Sequence, residues 1–452
     1  MLGMVSLAPK RLEEYRDIVG DAVIAELREL ARPLRGLRVL HVNATAYGGG
    51  VAELLTALVP LMRDVGLNAE WQVIRGADEF FQVTKAMHNG LQGMPFPWSP
   101  DMWEHWLRYN LINAELFDET YDVVIIHDPQ PAALAQLVGD RNGGRLGKWI
   151  WRCHIDLTDA RPEVWDRLRP FVACYDGAIF TLHDYVKPDL HGPRVYTIPP
   201  AIDPLSTKNT PLPLDEVTAV LRRYRVDPER PLMVQVSRFD PWKDPLGVIA
   251  AYRLVRREVP DLQLVLVASM AHDDPEGWEF YERTARHAGE DWDIHLLSNL
   301  NGVGNREVNA FQQAAQVVVQ KSLREGFGLV VTEGLWKGRP VVAGNVGGIP
   351  LQVQHRRTGF LVNSVEDCAE HVLCLLQHPE LAGEMGAAGR EHVRQNFLIT
   401  RYLRDYLRLF RTLDECEPSP QHLGVAASVA HPTAGGEGYE QSLSAHPGRR
   451  SG

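Results

Sequence analysis

The segment LRVLHVNATAYGGGVAELL, residues 37–55, indicates the fold class. It begins with a short apolar run, continues through three consecutive glycines, and ends in residues that favour a helix. This is the pattern of a strand, a tight loop and a helix. Gly48, Gly49 and Gly50 lack the Cβ atoms that would keep a phosphate or a sugar away from the backbone, although a tight turn without a ligand also uses glycine.

The same alternation recurs further along the chain. Short apolar runs at 123–126, 149–151 and 177–180 each lead into polar residues. Such runs, separated by helices, predict a parallel sheet whose ligands lie beyond the carboxyl ends of the strands. Asp128 and His154 follow two of these runs, so we expect them at a cleft. The simpler alternatives are that His154 closes a strand end by hydrogen bonding and that Asp128 caps a helix.

A proline-rich stretch around Pro204 separates this series of strands from a second series. The second series is predicted at 233–236, 264–267, 317–319 and 340–343. We therefore predict an α/β protein with two Rossmann-like, doubly wound domains that face each other across a cleft. The predicted divisions are a first domain at 1–204 that begins with a helix at 9–34, a second domain at 205–396, a helix at 397–413 that returns to the first domain, and a disordered tail at 414–452.

The composition excludes several classes of protein. The chain has 452 residues, which exceeds the size at which a single core stops growing. Its net charge of -11 argues against a general nucleic-acid binder. No apolar run approaches the roughly 20 residues of a transmembrane helix, and the N-terminus lacks a signal-peptide pattern. The 5 cysteines are scattered. We expect a cytoplasmic protein without membrane or nucleic-acid partners, and a homodimer is left open.

The most informative motif is REGFGLVVTE, residues 324–333, in which two glutamates stand eight positions apart. If a loop leads into a helix here, Glu325 and Glu333 are at most about 12 Å apart along the axis, which suits a sugar at one end and a ribose at the other. Gly326 and Gly328 allow close approach of a ligand, and N–H groups at the helix start favour a diphosphate. The alternative is an ordinary pair, with Glu325 at a helix start and Glu333 on the solvated surface.

Two cations stand on the loop that follows the first strand of the second domain, in the motif SRFDPWK at 237–243. Arg238 offers a planar fork for phosphate oxygens, and Lys243 offers a compact ammonium group. Together they could stabilise a departing nucleotide diphosphate. The alternative is a pair of surface cations without a ligand.

The combination of Arg238, Lys243, Glu325 and Glu333 resembles the retaining GT-B glycosyltransferases related to glycogen and sucrose synthases. The resemblance covers most of the second domain, including VGGIP at 346–350. It implies that the arginine and the lysine hold the diphosphate of a nucleotide sugar, that the first glutamate meets the donor sugar, and that the second binds ribose hydroxyls. Donor contacts are also implied for Gly326, Phe327, Gly328 and Leu329.

A closer resemblance, to the trehalose glycosyltransferring synthases, covers nearly the whole chain up to about Leu413. It rests on HVNATAYGGGVAE at 41–53, HDPQP at 127–131, WRCHID at 151–156 and MAHDDPEGW at 270–278. It implies that Gly48, Gly49 and Gly50 lie beside the donor pyrophosphate. It also implies a catalytic His154 near the transferred sugar. The residues implied to bind the acceptor are Asp128, Asn43 and Arg152.

The resemblance further implies a reversible reaction in which glucose passes from ADP-glucose or UDP-glucose to free glucose and forms α,α-trehalose. It implies front-face retention, in which the departing phosphate oxygen helps to deprotonate the acceptor hydroxyl. No D-x-D pair or His/Asp cluster demands a catalytic metal, and Arg238 and Lys243 can replace one electrostatically. We therefore expect no required cofactor, with Mg²⁺ as a modulator through the nucleotide phosphates.

Four other functions compete with this one, and the first is a GT-B transferase that uses another acceptor. A retaining trehalose phosphorylase would use the same fold with phosphate in place of the nucleotide. A nucleotide-sugar epimerase of the same shape would need titratable groups placed for proton abstraction or elimination at the sugar. A sugar-nucleotide sensor without turnover would share the fold, since fold alone does not establish catalysis. The joint presence of the two cations and two glutamates favours transfer.

Overall fold

The structure is a computed structural model that describes residues 2–95, 98–117, 119–268, 270 and 275–413. These residues form two β-sheets with intervening helices. The predicted α/β class with two parallel-sheet domains is confirmed. The predicted tail at 414–452 and residues 271–274 of the MAHDDPEGW motif lie outside the described residues. Within them, no helix is long and apolar enough to cross a membrane.

The first sheet has seven strands in the order β1-β3-β2-β4-β5-β6-β7. Their bounds are β1 (Gly3–Met4), β2 (Arg38–Asn43), β3 (Asn68–Val73), β4 (Val123–His127), β5 (Lys148–Arg152), β6 (Gly177–Phe180) and β7 (Arg194–Thr197). All neighbours are parallel except the short edge strand β1, which runs antiparallel to β3. The order reverses between β2 and β4, and a reversal of this kind opens a crevice at the carboxyl ends.

The second sheet has six parallel strands in the order β10-β9-β8-β11-β12-β13. Their bounds are β8 (Leu232–Val236), β9 (Gln263–Ala268), β10 (Ile294–Ser298), β11 (Val317–Gln320), β12 (Val341–Gly344) and β13 (Gly359–Val362). The side chains of β9 and β11 are buried at every position, as expected for strands covered on both faces. The order reverses between β8 and β11, so this sheet has its own crevice.

Sixteen helices are described within the ranges given above. Those of the first part of the chain are α1 (Arg16–Val19), α2 (Asp21–Ala31), α3 (Gly49–Asp64), α4 (Asp78–Leu91), α5 (Pro100–Glu115), α6 (Leu134–Asn142) and α7 (Pro162–Val172). The others are α8 (Leu214–Arg223), α9 (Pro245–Val255), α10 (Pro275–Ala288), α11 (Asn305–Ala314), α12 (Leu329–Trp336), α13 (Ile349–Gln352), α14 (Val365–Gln377), α15 (Pro379–Asn396) and α16 (Ile399–Leu413).

The N-terminal segment is not the single helix predicted at 9–34. Gly20, with φ of 84°, separates α1 from α2, and 3-10 turns flank the two helices. Glycine adopts this backbone conformation without the steric penalty of a side chain. The segment is tied to the middle of the chain, because the hydroxyl of Tyr15 donates to Asp203 over 2.9 Å and Lys10 pairs with the same carboxylate at 2.8 Å.

The C-terminal helix α16 packs against α2 and α3 of the first domain. Its buried side chains, which include Tyr406 and Leu407, repeat at helical spacing. Arg404 and Arg408 both pair with Glu26 of α2 at 2.9 Å. The last described helix thus packs against helices of the first domain.

The loops at the carboxyl ends of the two sheets meet across the cleft. The hydroxyl of Tyr185, which follows β6, donates to the backbone oxygens of Glu325 and Gly326 at 3.2 and 2.8 Å. Arg324 pairs with Asp159 of the first domain at 2.6 Å. The two crevices therefore form one site between the domains.

Candidate active site

Two helix N-termini converge at the centre of the cleft. Helix α3 follows Gly48 and helix α12 follows Gly328; neither has a side-chain cap, and neither has an acidic residue in its first turn. They are close together, because a Cβ added to Gly50 would lie 2.8 Å from Cδ1 of Leu329. Each helix start carries about half a positive charge on its free N–H groups. The arrangement favours an anion such as a diphosphate.

The glycines at these helix starts meet distinct backbone requirements. Gly48, Gly49 and Gly328 have φ values of 72°, 75° and 85°, which side-chain-bearing residues rarely adopt. Gly326 approaches the other domain closely, since a Cβ there would stand 2.9 Å from the backbone oxygen of His154. Any larger residue at 326 would push the two faces of the cleft apart.

Lys243 and Glu325 form an ion pair on the second-domain face, with 2.7 Å between Nζ and Oε2. Both side chains are largely buried, and the hydroxyl of Ser322 donates to the same carboxylate oxygen over 3.2 Å. Lys243 ends a 3-10 turn that Asp240 caps by accepting from the Trp242 N–H. A capped turn and a charged partner thus fix the ammonium group at the cleft.

Arg238 lies on the same loop and is the more exposed of the two predicted cations. Its guanidinium donates to Asp240 over 3.0 Å, with the Arg238 side chain 56% exposed. The half-buried His88 of α4, in the first domain, is close enough to this loop for the charges of Arg238 and Lys243 to act on it. Burial, helped by the positive charges of Arg238 and Lys243, lowers the pKa of His88 to about 4. His88 was missed by the sequence reasoning, because a histidine inside an apolar helix has no motif around it.

Glu333 is buried inside the second domain, so its interpretation as a solvated surface residue is wrong. It is 1% exposed. The Gln312 amide donates to Oε2 over 3.1 Å, and the Lys208 ammonium lies 3.3 Å from Oε1. Burial opposes ionisation, but the Lys208 and Lys337 charges prevail and hold the pKa of Glu333 below its usual value. Both carboxylate oxygens therefore already have partners.

Lys208, which the sequence reasoning also missed, links three parts of the chain. It lies between the two sheets and pairs with Glu53 of α3 at 2.7 Å as well as with Glu333. A cavity of about 420 Å³ opens beside it. Its lining includes Tyr47, Gly48 and Asn305. The volume falls within the range of small-ligand pockets.

Asp128 and His154 lie together at the carboxyl ends of β4 and β5. Asp128 has a φ of 62°, and its Oδ1 accepts the backbone N–H of His154 over 2.8 Å. The indole of Trp151 donates to the backbone oxygen of Asp128. Burial raises the pKa of the Asp128 carboxyl to about 6. The carboxylate thus binds a loop N–H and does not cap a helix.

His154 is the outer member of a row of three imidazoles. Its Nε2 lies 3.0 Å from Nδ1 of His127, and Nε2 of His127 lies 3.0 Å from Nδ1 of His41. Burial lowers the pKa of all three rings, that of His41 to about 3. His41 and His127 were not predicted as site residues. The signal available in the sequence was that all three stand in or just after short apolar runs that predict strands, but not that these strands are neighbours.

The side chains of Asn43, Arg152 and Phe327 face the protein interior. The Asn43 amide accepts from the Trp71 indole over 2.7 Å and donates to the Thr45 carbonyl over 2.8 Å. Arg152 is fully buried and donates to the Ile198 carbonyl. Phe327 is also buried. Acceptor binding by Asn43 and Arg152, and donor binding by Phe327, stay predictions.

Two family descriptions match the chain. Residues 41–187 match the family described as trehalose synthase, N-terminal domain. Residues 218–392 match the glycosyl transferases group 1 family. The two matches include strands β3 to β6 of the first sheet and all six strands of the second sheet, and they contain residues of both faces of the cleft.

Three known proteins are similar to most of this chain. The trehalose synthase of Rubrobacter xylanophilus is 51% identical over 416 residues, which cover 91% of this chain and 99% of that protein. The trehalose phosphorylase of Pleurotus pulmonarius is 28% identical, and the match covers 84% of this chain and 58% of that protein. The solved α,α-trehalose 6-phosphate synthase of Burkholderia multivorans has a TM-score of 0.67 at 17% identity, with 84% of this chain and 99% of that chain covered. The last likeness confirms the GT-B fold.

Proposed function

The chain belongs to the trehalose synthase family of glycosyltransferases, and from this premise we propose that it transfers glucose from a nucleoside diphosphate glucose to free glucose. The product is α,α-trehalose, with the configuration of the donor carbon retained. The observation that carries the proposal is the meeting of two uncapped helix N-termini beside the Lys243–Glu325 pair, with Arg238 on the same loop as Lys243. A departing diphosphate needs positive charge fixed in advance, and this arrangement supplies it.

The nucleoside end of the donor is assigned to the cavity beside Lys208. Its volume of about 420 Å³ gives room for a ribose and a base. Glu333 lies behind Lys208 and is its ion-pair partner. Contact between Glu333 and the ribose hydroxyls therefore requires Lys208 to move aside. This rearrangement is part of the proposal.

The proposed reaction replaces one bond at the donor carbon by another on the same face. The bond from C1 of glucose to the diphosphate oxygen breaks, and its electron pair leaves with the diphosphate. The anomeric hydroxyl oxygen of the acceptor forms the new bond to C1, and its proton passes to the departing phosphate oxygen. Lys243 and Arg238 stabilise the charge on the leaving group. Glu325 positions Lys243 through their 2.7 Å contact.

Free glucose is proposed as the acceptor because Arg324, a cation that bridges the cleft, already has hydrogen-bond partners. Arg324 donates to Asp159 over 2.6 Å and to the Gln92 carbonyl over 2.5 Å. A phosphate on the acceptor would have to compete with both partners for this guanidinium. The neutral imidazole of His154 and the carboxyl of Asp128 suit sugar hydroxyls instead.

The test is to incubate the purified protein in three separate mixtures. The first contains nucleoside diphosphate glucose and glucose, the second contains the same donors with glucose 6-phosphate, and the third contains trehalose and inorganic phosphate. Products are identified by carbon NMR, and ADP-glucose and UDP-glucose are compared as donors. We expect trehalose in the first mixture only.

Two outcomes would contradict the proposal. Release of glucose 1-phosphate from trehalose without a nucleotide would establish a phosphorylase. Formation of trehalose phosphate in the second mixture, with none of the free disaccharide in the first, would establish a phosphorylated acceptor. Lys243→Ala serves as the control that links any product to this site.

A further inference from the structure

The row of imidazoles formed by His154, His127 and His41 does more than fill space, because its geometry restricts which ring nitrogen can carry the proton. The outer contact joins Nε2 of His154 to Nδ1 of His127, and the inner contact joins Nε2 of His127 to Nδ1 of His41, each over 3.0 Å. The outer two rings are stacked, with 13° between their planes. At each contact one nitrogen must donate and the other must accept.

With all three rings neutral, only two proton arrangements satisfy both contacts. In the first, every ring carries its proton on Nδ1, so that His41 donates to His127 and His127 donates to His154. In the second, every ring carries its proton on Nε2 and both hydrogen bonds reverse. The proton position of His154 is thus coupled to that of His41, two residues deeper in the core.

The rings are neutral because burial disfavours the charged form of an imidazole. His41 and His127 are 0% and 2% exposed. Burial lowers the pKa of His127 and His154 well below the usual value, and the nearby positive charge of Arg152 lowers both further. The cationic forms are therefore disfavoured at neutral pH.

The inner end of the row selects between the two arrangements. Nε2 of His41 is buried and has no hydrogen-bond partner among the described residues. The same interior already holds two donors of Arg152, Nε and Nη1, that lack acceptors there. A proton on Nε2 of His41 would add a third unpaired donor, and unpaired buried N–H groups are rare. The arrangement with a proton on each Nδ1 leaves a lone pair at this position instead.

We propose that His127 and His41 act as positioning residues, which hold His154 in the tautomer protonated on Nδ1 so that this N–H donates to an oxygen of the glucose bound in the cleft. Nε2 of His154 is occupied by His127, whereas Nδ1 has no partner among the described residues and the residue is partly exposed. The row ends in the core without a proton acceptor, so it fixes a tautomer and does not conduct protons. The sugar contact rests on the function proposed above.

The direct test is NMR of the full chain labelled with ¹⁵N in its imidazole rings. Among the signals of the 17 histidines, those of His154 and His127 are assigned by their loss in His154→Gln and His127→Asn. We expect His154 of the unliganded protein to be neutral and protonated on Nδ1, and this signal to shift when nucleoside diphosphate glucose binds. Protonation on Nε2 would overturn the proposal. Because the unliganded spectrum needs no turnover, this result is independent of whether the protein makes trehalose.

A pair of variants separates positioning from packing. In His127→Asn the amide nitrogen stands near the position of Nδ1 and can still donate to His154, whereas His127→Leu fills the space without a donor. We expect kcat/KM for the donor to fall about tenfold in His127→Leu, as for loss of one good hydrogen bond, and to stay within about threefold in His127→Asn. His355→Leu, in the second domain, is the control. Equal losses in the two His127 variants would overturn the proposal.

Discussion

The two faces of the cleft stabilise their polar groups in opposite ways. On the second-domain face the groups are ionised and paired, as in Lys243 with Glu325 at 2.7 Å and Arg238 with Asp240 at 3.0 Å. On the first-domain face the rings of His127 and His154 are neutral and hydrogen-bonded to each other. The same fold thus presents paired charges on one side and a pair of neutral imidazoles on the other.

This difference corresponds to the chemistry proposed for each face. A diphosphate is held by charge, which acts without fine orientation and strengthens as the leaving group develops. A sugar hydroxyl is recognised by groups whose donor and acceptor roles are fixed. A charged histidine beside the sugar would lose the acceptor nitrogen that binds His127. The comparison therefore predicts that variants on the two faces fail in different ways.

The largest effect is expected on the charged face. Lys243→Ala and Arg238→Ala should each lower kcat about 10²–10³-fold, because each removes a charge from the leaving diphosphate. Kinetics gives the effect, and circular dichroism checks the fold. Arg256→Ala is the matched control, since Arg256 pairs with Asp291 and Asp293 of the same domain. Near-wild-type turnover in both cleft variants would remove these cations from the mechanism.

A smaller effect, on stability, is expected at Lys208, which follows the proline-rich stretch between the two series of strands. Lys208→Met should lower the free energy of unfolding by about 2 kcal/mol, because the buried carboxylate of Glu333 would lose its ion-pair partner and keep only the charge of Lys337 nearby. The measurement is the melting temperature by calorimetry. Arg286→Met, which breaks an exposed pair with Glu282, should have no comparable effect. Equal melting temperatures for the wild type and Lys208→Met would show that the pair contributes nothing.

The sequence predicted the backbone frame of the site better than its side-chain partners. Gly48, Gly49 and Gly328 mark turns at helix starts, and such turns follow from local residue types. Lys208 and Glu333 stand far apart in the chain, and their pairing depends on how two domains pack. Local patterns carry no information on such contacts. For this reason the sequence left open whether Glu333 binds the donor or lies on the solvated surface.

The neutral face shows the same division. The strand ends at Asp128 and His154 were predicted from hydrophobic runs, because parallel strands present their carboxyl ends at one edge. The row of imidazoles was not, because it depends on the lateral order of β2, β4 and β5 in the sheet. A sequence lists these strands in chain order only. Their adjacency became visible with the sheet order.

At Asp128 we expect an effect on stability that depends on pH. Its pKa is raised to about 6 in the folded protein, so the folded state binds the proton more tightly than the unfolded state and stability falls as pH rises from about 4 to 6. Asp128→Asn retains the oxygen that accepts the His154 N–H. The variant should therefore match the wild type near pH 4 and exceed it by up to about 3 kcal/mol above pH 6. Thermal unfolding across this range tests the sign, and a constant difference would contradict it.

The smallest effect is expected from metal removal. Two helix starts carry about half a charge each, and Arg238 and Lys243 add two, so about one net positive charge remains after Glu325 and Asp240 are subtracted. The two carboxylates of Asp291-Trp292-Asp293 are not free to bind a metal ion, because Arg256 pairs with both of them at 2.5 and 2.7 Å. Dialysis against EDTA should therefore lower kcat less than about twofold, with added Mg²⁺ acting only through the nucleotide phosphates. A loss of more than about tenfold that Mg²⁺ restores would show that protein charges alone do not stabilise the leaving diphosphate.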